Sequence, residues 1–259
     1  MTDLLQRIVA DKRAEVEALK VAHPLESFRD SLDPGSVRDF RAAVSAAGRT
    51  NIIAEIKRGS PAKGMLSRVF NPVVLAAQYQ QGGAAALSVL TERRHFFGHY
   101  EFVRLAGKRA GLPVLCKDFI FDQYQIYHAR WIGADAILLI ARLLAPDQLA
   151  EFISRARAVG LAALVEVHNR AEVRAALDSG AELLGVNSRD LSDFTVRLET
   201  AEELAPLIPA AVIKIAESGI RAREDVRRLE RAGYRAFLIG EALVTSSNPA
   251  ALLQELRGV

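Results

Sequence analysis

Cys116 is the only cysteine in 259 residues. An internal disulfide is therefore impossible, and a reducing compartment, the cytoplasm, is the expected location. No apolar run approaches the roughly 18 residues that a membrane span requires, so no membrane partner is expected. The N-terminal stretch is amphipathic, but Asp3, Asp11, Glu15 and Glu17 make it a poor signal or transit peptide. Basic residues number 34 against 31 acidic. They are interspersed, without the basic block or aromatic-basic stripe of a nucleic-acid binder, and the small excess favours a small anionic ligand. There is no G-x-G-x-x-G, P-loop or Cys-x-x-Cys, so neither a dinucleotide nor a nucleoside triphosphate is indicated. Gly and Pro, 17 and 9 residues, are too few for collagen-like or low-complexity sequence.

What is present is the composition of a globular protein, half hydrophobic and a quarter charged. Short apolar runs recur at Ile52–Lys57, Ala84–Thr91, Pro113–Asp118, Ala134–Ile140, Leu161–His168, Glu182–Asn187, Ala211–Ser218 and Arg235–Gly240. Their starts are on average about 26 residues apart. The gaps hold segments with apolar positions at helical spacing, such as Asp147–Val159 and Arg223–Ala232, often closed by glycine (Gly133, Gly160, Gly180, Gly233). Near-continuous apolar runs such as A-I-L-L-I suit strands buried on both faces of a parallel sheet. Eight strand–helix units in about 250 residues predict an α/β fold, a (β/α)8 TIM barrel; a doubly wound open sheet is the competing arrangement. Residues 1–50 lie outside the repeat. They read as an N-terminal helical extension, with helices over Asp3–Lys20 and roughly Val37–Ala46 and a turn at Asp33-Pro34-Gly35. One domain is expected, 1–259, with the barrel occupying 51–259 and leaving no room for a fused second enzyme. Whether the extension covers one mouth of the barrel or plugs its bottom is open.

In such a barrel alternate strand residues point inward, and the active site lies at the C-terminal strand ends. Strand one ends in I-A-E-I-K, placing Glu55 and Lys57 on one face. Strand three ends at Lys117, strand five at Glu166, strand six at Asn187 followed by Arg189, and strand seven at Glu217 and Ser218. The ionisable groups on strands one, three, five and seven should share a layer. Two lysines and three glutamates gathered there are expensive for a core, but burial and pairing are expected to draw their pKa values towards neutrality, as a reactive site needs. Gly219 and Gly240, in the loops after strands seven and eight, allow backbone N–H groups to approach a phosphate.

Other residues carry less. Cys116 alternates with Lys117 and should pack against the helices. His95 and His99 are four apart with no evident third ligand, so no metal site is expected. His168 reads as a loop residue rather than a catalyst, and Trp131 as packing a helix against the sheet. Phe96 and Phe119, beside strand ends two and three, suit either core packing or stacking on an aromatic ligand.

The segments I-I-A-E-I-K-R-G-S-P-A-K-G (52–64), C-K-D-F (116–119), V-E-V-H (165–168), G-V-N-S-R-D-L (185–191), A-E-S-G-I (216–220) and L-I-G-E-A-L (238–243) together resemble the indole-3-glycerol phosphate synthase family along essentially the whole chain. That resemblance implies a carboxy-lyase of tryptophan biosynthesis acting without metal or organic cofactor on 1-(2-carboxyphenylamino)-1-deoxyribulose 5-phosphate. It implies Lys117 as general acid, Glu166 as general base, and Lys57 as partner of the substrate carboxylate. Glu55, Asn187, Glu217 and Ser218 match remaining polar site residues. Ser60, Gly219 and Gly240 match phosphate-binding positions, and Phe96 and Phe119 the aromatic pocket. The chain departs from many relatives at Ala62, His99 and Glu241, where serine is common. A carboxylate at 241 should leave only its backbone N–H for phosphate. A phosphorylated small-molecule substrate and a monomer are the expected partners and state.

Two other readings compete. The isomerase that precedes this step resembles a Cys/Asp design with its Cys ending strand one, whereas strand one here ends in Glu-Ile-Lys. A non-catalytic barrel scaffold would be expected to lose the charged strand ends, and this chain keeps them.

Overall fold

The computed structural model describes residues 4–33, 35, 37–67, 70–190 and 195–259. Eight parallel strands form a closed barrel: β1 (Asn51–Ile56), β2 (Ala86–Leu90), β3 (Val114–Lys117), β4 (Ala136–Ile140), β5 (Ala162–Val167), β6 (Leu183–Asn187), β7 (Ile213–Glu217) and β8 (Ala236–Ile239). Each strand pairs with its neighbours in sequence, and β1 closes against β8, with Ala54 opposite Ile239. The helices between strands are α3 (Pro72–Gln81), α4 (Tyr100–Ala110), α5 (Gln123–Trp131), α6 (Pro146–Ala158), α7 (Arg170–Asp178), α8 (Leu198–Leu204) and α9 (Arg223–Arg231). Two more, α10 (Glu241–Thr245) and α11 (Pro249–Arg257), follow β8. Gly133, Gly160, Gly180 and Gly233 end the turns into β4, β5, β6 and β8 with φ between +80° and +92°, a conformation that a Cβ disfavours.

Strand alternation divides the core in two. Ile52, Ala54, Cys116, Val165, Val167 and Ala216 face outward against the helices. Ile53, Leu115, Leu164 and Ile215 fill the barrel interior. Continuing that inner row by two residues reaches Glu55, Lys117, Glu166 and Glu217, so period-two geometry alone aims all four at the barrel axis. Cys116 is buried in the outer layer, where burial pushes its thiol up to about 12; it is inert packing, as expected.

The extension has two helices, α1 (Leu4–Ala22) and α2 (Phe40–Ser45). The second begins three residues later than the periodicity suggests because Asp39 caps it, accepting from the N–H of Ala42. Of the expected 33–35 turn, Pro34 lies outside the described residues. The two helices serve opposite ends of the barrel. Phe40 and Val44 of α2 enter the inner core, and the Asn51 amide at the start of β1 donates to the carbonyl of Ala46, so α2 closes the N-terminal end. Helix α1 lies against the residues that follow β2 and β3: Lys12 bonds Asp118, and Lys20 bonds Asp122. Trp131 departs from expectation. It ends α5 on the outer surface, 42 % exposed, and stacks on Phe28 of the extension with ring centroids 4.8 Å apart rather than packing on the sheet.

Candidate active site

The C-terminal mouth opens into a cavity of about 600 Å³. Every candidate named from the sequence lines it: Glu55, Lys57, Ser60, Phe96, Lys117, Phe119, Glu166, Asn187, Arg189, Glu217, Ser218, Gly219 and Gly240. Lys117 is central. Its Nζ lies 3.0 Å from Glu217 Oε2, 3.5 Å from Glu166 Oε2 and 4.0 Å from Glu55 Oε2. Lys57 Nζ lies 2.9 Å from the other oxygen of Glu55. The three carboxylates are at most 5 % exposed. Glycine makes room for two of them: a Cβ on Gly240 would collide with Glu55, and one on Gly185 with Glu217.

The electrostatics correct the expectation that the whole cluster moves towards neutrality. Burial pulls the Lys117 ammonium down, but Glu217, Glu166 and Glu55 outweigh it, and its pKa rises. Burial likewise pushes Glu55 and Glu166 up, yet Lys57 and Lys117 bring Glu55 down, and Lys117 with His168 bring Glu166 down. Only Glu217 approaches neutrality. Burial raises it, Lys117 draws it back, Glu166 pushes it further, and it settles at about 7. Two ammoniums, Lys57 and Lys117, cannot neutralise three buried carboxylates, so one of the three retains a proton near neutral pH.

Part of the cavity lining is apolar. Phe96 and Phe119 lie 6.0 Å apart between centroids, with Leu138, Ile140 and Leu238 completing the wall. The lining also includes Ser218 and Gly219, both at positive φ (+67° and +83°), and Gly240 at the start of α10. Ser218 is one of two non-glycine residues among those described with positive φ, a strained conformation of the sort found at ligand sites. Glu241 also lines the cavity, its carboxylate accepting from Lys63 Nζ at 2.5 Å and lying 3.8 Å from Arg189. Lys63 and the aliphatic residues Leu138, Ile140 and Leu238 are among the lining residues that the sequence left unassigned. Lys63 stands in the quoted 52–64 segment, but nothing local shows that its loop folds back towards α10.

The histidine pair does not converge on a metal. His95 Nε2 lies 2.8 Å from Asp11, and His99 caps α4 by accepting from the N–H of Glu101. Among the described residues no group of three or more His, Cys, Asp or Glu side chains could hold a metal ion.

A closed parallel barrel with a lysine-centred carboxylate cluster at its C-terminal mouth places the chain in the (β/α)8 class with acid–base groups at the strand ends. Comparison with known proteins narrows this. The family description indole-3-glycerol phosphate synthase matches residues 5–256. An indole-3-glycerol phosphate synthase of Dehalococcoides mccartyi (strain CBDB1) is 43% identical over 98% of this chain and 99% of its own. That of Laribacter hongkongensis is 44% identical over 99% of each. Among solved structures, a 3-hexulose-6-phosphate synthase from Salmonella typhimurium aligns with TM-score 0.66 at 13% identity, covering 80% of this chain and 96% of that one, a likeness of fold alone. The chain belongs to the indole-3-glycerol phosphate synthase family.

Proposed function

We propose that this protein converts 1-(2-carboxyphenylamino)-1-deoxyribulose 5-phosphate to indole-3-glycerol phosphate, carbon dioxide and water in tryptophan biosynthesis. The observation that carries the reading is the Lys117 ammonium held within 3.0–4.0 Å of Glu217, Glu166 and Glu55 inside the cavity. The aryl carbon bearing the carboxylate attacks the ketone carbon, whose oxygen takes a proton from Lys117. Carbon dioxide then departs, leaving its bonding pair to restore the benzene ring. The new hydroxyl takes a second proton and leaves as water, and Glu166 removes a proton from the carbon beside nitrogen to complete the indole. Two protons enter and one returns, so each turnover of the ionised substrate draws one proton from solvent.

The raised pKa of Lys117 makes it a reluctant donor while all its partners are charged. Protonation of Glu217, poised at about 7 and 3.0 Å away, weakens that grip and resupplies the ammonium. Lys57, bound to Glu55, is positioned to meet the substrate carboxylate. Phe96 and Phe119 flank the aryl ring, whose apolar surroundings favour loss of carbon dioxide. The phosphate is assigned to Ser60, Ser218 and the N–H groups of Gly219 and Gly240, anchoring the non-reacting end through remote binding energy.

Incubation with the aminodeoxyribulose phosphate, following indole absorbance or fluorescence, tests the assignment; no indole product at any enzyme concentration would refute it. A cytoplasmic monomer accompanies this reading. The lone buried thiol suits a reducing compartment. The closed barrel offers no sheet edge, and light scattering at the mass of a dimer would overturn the monomer.

A further inference from the structure

Glu166 has a second neighbour outside the cavity. His168, two residues beyond it in the loop after β5, points its Nε2 at Glu166 Oε1 from 3.4 Å. Its side chain is 5 % exposed, and Nε2 has no hydrogen-bond partner among the described residues. The other ring nitrogen, Nδ1, lies 3.1 Å from Glu172 Oε2 on α7. Arg142 donates to the other oxygen of Glu172 at 3.1 Å. Glu172 and Arg142 are 12 % and 26 % exposed, so the row Glu166, His168, Glu172 and Arg142 leads from the cavity to solvent.

Glu172 is buried enough to raise its pKa, but the His168 and Arg142 contacts hold it below the usual carboxylate range. An ionised carboxylate only accepts hydrogen bonds, so Nδ1 carries a proton. Nε2 then faces the Glu166 carboxylate from 3.4 Å without a hydrogen bond. A buried orphan of this kind is costly unless a partner arrives during function.

We propose that His168 and Glu172 form a proton relay behind Glu166, a positioning and exchange device that rests on the synthase reading above. When Glu166 takes the proton from the carbon beside nitrogen, its new O–H donates to Nε2. The proton passes to Nε2, the Nδ1 proton passes to Glu172, and Glu172 releases it to water. The reverse sequence brings solvent protons inward to Glu166 and, across 3.5 Å, to Lys117. The groups facing the imidazole are Glu166 and Glu172, with Lys117, Glu217 and Asn187 acting on it through Glu166 and Arg142 through Glu172. The inward pass also restores the starting tautomer, so the relay exchanges the Glu166 proton with solvent while bound substrate fills the mouth; the net proton of each turnover enters by Glu217 and Lys117.

A helix-capping role alone would also bring these residues together, since Glu172 accepts from the N–H of His168 at 2.8 Å. Glu172→Gln separates the two, because glutamine retains the cap but cannot take a proton. His168→Gln and Glu172→Gln should each lower kcat about tenfold with KM changed less than about twofold, and enlarge the solvent deuterium effect on kcat. Wild-type kcat in either variant, or a loss residing in KM alone, overturns the relay. A wild-type enzyme that forms no indole product rejects the synthase reading instead, and nitrogen NMR of the His168 ring then decides. Ring signals that move in both Glu166→Gln and Glu172→Gln support the relay, and signals indifferent to either variant refute it.

Discussion

Lys12 of the N-terminal helix and Asp118 of the loop after β3 are 106 residues apart in sequence, yet their Nζ and Oδ2 atoms lie 2.6 Å apart with both side chains buried. Burial alone would lower the lysine's pKa, but Asp118 and Glu15 more than offset this and raise it. Asp118 also accepts from the Thr91 hydroxyl at 2.6 Å and from the N–H of Phe119 at 2.8 Å. It stands between Lys117 and Phe119, which both line the cavity, so the extension is braced directly against the reactive strand end. Lys12→Met leaves a buried carboxylate uncompensated and should cost about 3–5 kcal/mol. Urea unfolding measures it, and Lys12→Met with Asp118→Asn should recover part of the loss.

Lys117→Met and Glu166→Gln should each fold yet lower kcat by about two to four orders of magnitude. Circular dichroism checks the fold and indole formation the rate. Near-wild-type turnover in either variant removes that residue from the scheme.

Glu217 should make stability depend on pH in an unusual direction. Its folded pKa of about 7 exceeds the ordinary 4.5, so between those values the folded protein keeps a proton that the unfolded chain has released. The stabilisation is fully present below about 4.5 and is lost as pH rises through 7. At about 1.4 kcal/mol per unit the loss is about 3 kcal/mol. The stability of wild type minus that of Glu217→Gln should therefore fall by about this amount between pH 4.5 and 7; a flat difference would show that Glu217 is not raised.

Gly240→Ala and Gly185→Ala should each displace a carboxylate, Glu55 and Glu217 respectively, because a Cβ at either position overlaps its neighbour's carboxyl group. Activity should fall at least about tenfold in both. Gly48→Ala, where a Cβ would meet nothing but φ is +73°, should cost about 1 kcal/mol of stability and no turnover. Loss of activity in that control would mean that glycine substitution acts through general instability.

The sequence by itself determined the barrel and the inward row of charges. Apolar runs spaced by amphipathic stretches leave few ways to bury both faces of eight strands, and the two-residue strand period carries Ile53, Leu115, Leu164 and Ile215 on to Glu55, Lys117, Glu166 and Glu217. Tertiary structure alone decided what long-range approach decides. It set α1 at one end of the barrel and α2 at the other, carried Trp131 to the surface under Phe28, and turned Glu241 towards Lys63. It also set the sign of each pKa shift, because several carboxylates competing for Lys117 have a charge balance that depends on distance and burial, neither of which is written locally in the chain.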